Sequence, residues 1–148
     1  MRLLRAWLFV IPVLVLFAAG ASSHHAFTPV YDGTRLITVV GVVTQFKFVN
    51  PHAMMFMDVT DEAGKVVKWT VEFGGNLQLT EAGWTADSIK ARQRITVTGN
   101  PTHTGSPRMA FTRLVRPDGT ELLSLGEQRL KGVEEERRQR ALQRNQQK

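Results

Sequence analysis

Cysteine is absent from the 148-residue sequence, which excludes disulfides, thiolate metal sites, cysteine nucleophiles and thiol redox chemistry together. An oxidising compartment permits disulfides without demanding them, so packing alone must hold this fold. Catalytic constellations are missing as well: there is no Gly-rich phosphate loop, no helix with metal ligands at i and i+4, and no nucleophile elbow. Past the N-terminal stretch, serine occurs only at Ser88, Ser106 and Ser124, none in a setting that would activate it. The chain is therefore not expected to be an enzyme. Long apolar runs are scarce too. The single one, Ala6 to Ala19, is shorter than the ~20 residues a membrane-spanning helix needs.

That run has the layout of a secretory leader: Arg2 and Arg5 precede it, and the small residues Gly20, Ala21, Ser22 and Ser23 follow. Residues 1–23 are expected to be a signal peptide, leaving the protein periplasmic or secreted; contact with a membrane is expected only through an uncleaved leader. The formal charge of +6 suggests an acidic partner until it is located. The leader carries +2, and residues 126–148 carry +3 from seven cations against Glu127, Glu134, Glu135 and Glu136. Residues 24–125 keep only +1, so the basic balance belongs to the ends and no nucleic-acid partner is expected.

Between the ends the pattern is β. Thr34 to Phe48 is β-branched and partly alternating, which predicts a long strand bent or bulged at Gly41. Asn50-Pro51 ends it. Ala53 to Thr60 and Val66 to Phe73 flank the turn signal Asp61-Glu62-Ala63-Gly64 and read as a hairpin. Asn76 to Ala82 has helix formers, with Asn76 as an N-cap and Gly83 as a stop. Arg94 to Gly99 and Met109 to Arg116 supply two more strands, separated by the polar loop 100–107. Three strands, a helix and two strands in that order predict a small five-stranded OB-like β-barrel with one short helix over 24–125. The tail, 126–148, lacks an apolar stripe; its Glu134–Glu136 block precedes Arg137, Arg138 and Arg140 at helical spacing, which predicts a solvated, partly helical extension.

Several short stretches together resemble one family: His24-His25-Ala26-Phe27, Asn50-Pro51-His52, Met57-Asp58-Val59, Trp69-Thr70-Val71-Glu72, Gly83-Trp84-Thr85 and Val97-Thr98-Gly99. Their order and spacing are similar to those of the exported bacterial family known as domain of unknown function 6152, over roughly residues 24 to 123. The family's usual Pro-Gly-Asp before the fourth strand is Ala91-Arg92-Gln93 here. The resemblance implies the fold and the compartment and leaves the activity open.

Candidate chemistry rests on the four histidines, His24, His25, His52 and His103, the side chains suited to neutral-pH proton or metal roles. Cleavage after Ala21 would leave Ser22-Ser23-His24, whose amine, amides and imidazole can wrap Cu(II); cleavage after Ser23 would make His24 the terminal residue, with His25 or His52 as further ligands. A plain polar terminus is the alternative. His52 heads a strand after Asn50-Pro51, where it either fixes a turn or faces the barrel mouth with Met54 by alternation. Met55 and Met57 share the other face; the family usually has aliphatic residues there, which implies core packing for both. Trp69 and Trp84 are either anchors at the core edge or a stacking surface, and Glu72 is placed to pair with Lys47 or another cation. A binding face of Asn50, His52, Met54, Trp69 and Trp84 follows.

The expected function is a non-catalytic exported binding module for a small molecule, a metal or a protein partner. A copper carrier using His24, His25 and His52, or an accessory subunit of a periplasmic oxidoreductase, are the other readings.

Overall fold

A computed structural model describes residues 27–146. The leader and the paired His24 and His25 lie outside that range. A short helix α1 (Phe27–Val30) is followed by strands β1 (Ile37–Lys47), β2 (Met54–Thr60) and β3 (Val66–Glu72), helix α2 (Asn76–Glu81), then β4 (Arg94–Pro101), β5 (Arg108–Val115), β6 (Glu121–Leu123) and helix α3 (Leu125–Gln146).

The strands pair in the order β3-β2-β1-β4-β5-β6, and β3 also pairs with β5 in parallel. That last pairing closes β1 to β5 into a barrel of the OB kind, as the alternating sequence predicts. β1 is long enough to serve two neighbours: Ile37 to Val42 pair with β4, and Val42 to Lys47 with β2. The bulge in β1 falls between Val43 and Gln45, not at the expected Gly41. Gly41 answers a different demand. A Cβ there would stand 2.5 Å from the Asp58 carbonyl oxygen and 2.6 Å from Met57 Cε, so the crossing of β1 and β2 leaves no room for a side chain.

Period-two alternation fills the interior. Val43, Met55, Met57, Val71, Ile95, Val97, Met109 and Leu114 point inward and are buried. Below α2 the barrel end is plugged by rings: Phe73 stacks on Phe111 at 4.4 Å, and Trp84 meets the edges of Phe73 at 5.4 Å and Phe111 at 5.1 Å. The Trp84 ring N–H donates to the Leu123 carbonyl at 3.2 Å, tying down β6, a three-residue strand too short to leave a periodic signature.

One local detail departs from expectation. Gly75, not Asn76, occupies the N-cap of α2; the backbone N–H of Asn76 instead meets Asn50 Oδ1 at 3.2 Å. The tail is helical over Leu125–Gln146, as its charge spacing predicts. Its first turns dock through Gln128 to the Ala82 carbonyl at 2.9 Å and Lys131 to Glu121 at 2.6 Å. From Arg129 to Gln146 every residue is exposed, and side-chain pairs such as Glu136–Arg140 at 3.4 Å support the projecting part. Among the described residues no helix is long and apolar enough to cross a membrane.

Candidate functional site

The parallel closure of β3 against β5 places Thr70 beside Arg108 and Glu72 beside Ala110. Val71 and Phe73 turn inward, so Glu72 turns outward, onto the face that also carries Met54, its partner on β2. Two residues before Met54, on the same alternation, comes His52. The segment after α1 runs beside the end of β4, where Tyr31 bridges to Thr102 and the Asp32 N–H donates to the Pro101 carbonyl at 2.9 Å. Four separate stretches of chain thereby bring Tyr31, His52, Glu72 and Arg108 together.

Glu72 is the hub of this quartet. The Tyr31 hydroxyl donates to its Oε2 at 2.5 Å, Arg108 Nη2 donates to the same oxygen, and His52 Nδ1 lies 2.5 Å from Oε1. Burial alone would raise the Glu72 carboxyl, but the hydrogen bonds from Tyr31, Arg108 and His52 outweigh it and hold the group below the ordinary carboxylate range. An ionised carboxylate only accepts, so the proton shared with His52 sits on Nδ1. The Glu72 bond raises Arg108, keeping it charged, while burial and then the bond to Glu72 push the Tyr31 phenol well up. The Arg108 guanidinium also lies over the Tyr31 ring, 5.6 Å from its centroid.

The quartet lines a cavity of about 600 Å³ together with Val30, Phe73, Gly74, Gln78, Ala110 and Phe111. Polar groups and apolar, partly aromatic side chains share this lining, the mixture typical of small-molecule sites.

Of the binding face expected from sequence, His52 alone enters the cavity wall, where it is joined by Glu72, which the sequence marked only as a partner for a cation. Met54 is half-buried on the same outer face. Asn50 is exposed and tied to the start of α2, and Trp69 packs half-buried against the core. Trp84, expected on the binding face, is 1% exposed; its ring is the centre of the plug, because the chain leaving α2 turns it under the barrel end. Glu72 pairs with Arg108 rather than Lys47, whose ammonium lies over the Phe56 ring at 5.4 Å. His103 is exposed in the loop after β4, where its N–H donates to the Val30 carbonyl at 3.2 Å. Tyr31 and Arg108 were not legible as site residues. The one available hint was that Tyr31 is the sole tyrosine of the sequence.

A family model described as a family of unknown function (DUF6152) matches residues 13–110. The chain belongs to this family. The matched span includes all four members of the quartet. It also includes the turn where the family's usual glycine is Arg92, and there the backbone explains the glycine: Arg92 has φ +69°, the single non-glycine among the described residues in the left-handed region. No curated protein matches the sequence. Among solved structures, the mitochondrial single-stranded DNA binding protein Rim1 of S. cerevisiae is similar at 8% identity and a TM-score of 0.43, over 56% of this chain and 93% of that one.

Proposed function

We propose that this protein is an exported, non-catalytic binding module that takes a small molecule into the cavity at the β3–β5 seam. The observation that carries this reading is a cavity of about 600 Å³ lined both by the Glu72-centred quartet and by Phe73, Ala110 and Phe111. A half-buried carboxylate with three partners is a costly arrangement for stability alone, since apolar packing would hold the seam at lower desolvation cost. Placed in a cavity wall, it presents oriented donors to a ligand instead. Amide spectra recorded against a small-fragment set test the reading: shifts should gather on Glu72, Phe73, Ala110 and Phe111. A set that moves no cavity residue overturns it. The export half of the proposal is tested by the mass of the protein recovered from the exporting cell, expected to begin at Ser22 or His24; a chain still carrying Met1 overturns it.

A second reading, copper binding, is favoured by one feature. A carboxylate that takes the Nδ1–H of a histidine leaves the lone pair of the neutral ring on Nε2, the form in which histidines ligate metals. Among the described residues no group of three His, Asp or Glu is arranged around a metal, so His24 and His25 would have to complete the site with His52. Cu(II) titration of the secreted protein is then expected to saturate near one equivalent and to weaken in His52→Ala. Equal binding by that variant would remove His52 from the site, and no binding at all would remove the reading.

A further inference from the structure

We infer that the ligand class of this cavity is a small carboxylic acid with an apolar body of about one aromatic ring, its carboxylate paired with Arg108 and its body laid against Phe111. The inference rests on the cavity being the binding site and adds the chemistry of what enters it.

The sign of the ligand's charge follows from which groups of the quartet are already committed. Glu72 is spent: Oε1 is engaged by His52, Oε2 by Tyr31 and Arg108, and its side chain is only 16% exposed. A cationic ligand would find no other acidic residue in the cavity lining. Arg108 is the opposite case. Its guanidinium serves Glu72 and engages Tyr31, yet its side chain remains 43% exposed. The guanidinium lies over the Tyr31 ring, and a planar guanidinium selects a carboxylate, which it binds through two parallel hydrogen bonds. A ligand carboxylate seated on Arg108 lies nearer that cation than the Glu72 anion behind it. Coulomb energy falls with distance, so the attraction exceeds the repulsion.

The body of the ligand is set by the apolar part of the cavity wall. Apart from the quartet the lining is Val30, Phe73, Gly74, Gln78, Ala110 and Phe111, with no charged group, and Phe73 stacks on Phe111. Acetate would satisfy Arg108 and leave this wall wet. An acid carrying a ring covers it, and ring–ring contact adds to the area removed from water.

Four probes offered to the whole protein separate the two halves of the claim: phenylacetate, acetate, 2-phenylethanol and phenethylamine, each titrated while amide shifts are followed. Phenylacetate is expected to bind about tenfold or more tightly than each of the other three, over the alcohol and the amine through its charge-assisted hydrogen bonds and over acetate through the apolar area of its ring. Arg108→Gln should erase that advantage over 2-phenylethanol and leave 2-phenylethanol itself unchanged. Should this variant fail to fold, the ranking of the four probes on the unaltered protein decides alone. Equal or tighter binding of the alcohol or the amine at the cavity overturns the acid and leaves the cavity as the site. If none of the four shifts a cavity residue, the assignment fails, and continued silence across the wider fragment set takes the site with it.

Discussion

β3 and β5 are held together in two ways on the two sides of one seam. Inward, Phe73 stacks on Phe111 and Trp84 closes against both, with no polar atom left over except the indole N–H that meets the Leu123 carbonyl. Outward, one residue away, Glu72 gathers Tyr31, His52 and Arg108. The inner contact is strong because it removes large apolar surfaces from water. The outer one gains less, since each charged partner gives up hydration to join it and the partially exposed Arg108 is screened by solvent. What the outer side supplies is orientation: donors held at fixed positions in a cavity wall, which a greasy contact cannot provide.

The inner side should prove the more costly to break. Trp84→Ala empties the plug and frees the carbonyl that anchors β6; equilibrium denaturation should register a loss of about 3–5 kcal/mol. A loss comparable to that of an exposed residue would mean that the plug is not where the barrel's stability resides. On the outer side, Glu72→Gln keeps the shape and removes the charge, and the expected loss at neutral pH is about 1–2 kcal/mol, reduced by the exposure of Arg108. Its pH dependence identifies the cause. A carboxyl held below its ordinary value of 4.5 adds stability that is complete above that value and disappears as pH falls through the depressed native value. The difference between native protein and Glu72→Gln should therefore be constant at neutral pH and shrink in acid below about pH 4.5. A difference that persists in acid would show that the loss comes from shape rather than charge.

A third variant touches neither side and measures the backbone alone. Arg92 turns the chain into β4 at φ +69° with its N–H on the Val43 carbonyl at 2.8 Å. Restoring the glycine usual in the family relieves the left-handed strain of about 1–2 kcal/mol but gives back chain entropy of about 0.5–1 kcal/mol. A small net gain in melting temperature is expected for Arg92→Gly, with cavity ligands bound as before. A fall would show that the Arg92 side chain has contacts worth more than the strain.

The order of strands, the helix between the third and fourth, and the closed barrel were legible because alternation of apolar and polar residues has a period that only a strand satisfies. Met55 and Met57 as core followed from the family resemblance, whereas the bulge expected at Gly41 fell elsewhere. Short-range logic stopped where contacts became long-range. β6 has three residues and exists because β5 and Trp84 hold it; the bulge settled at Thr44, inside the pairing of β1 with β2. The site was the least legible part. Glu72 was visible as an acid ending an apolar run, and His52 as a histidine heading a strand, but Arg108 and Tyr31 stand 36 and 41 residues from Glu72 in the chain.

Local periodicity, which each segment carries within itself, determined that this chain makes a thiol-free β-barrel and which side chains fill it. The closing of β3 on β5 decided the rest, because a cavity and its electrostatics belong to residues that become neighbours only when the barrel shuts.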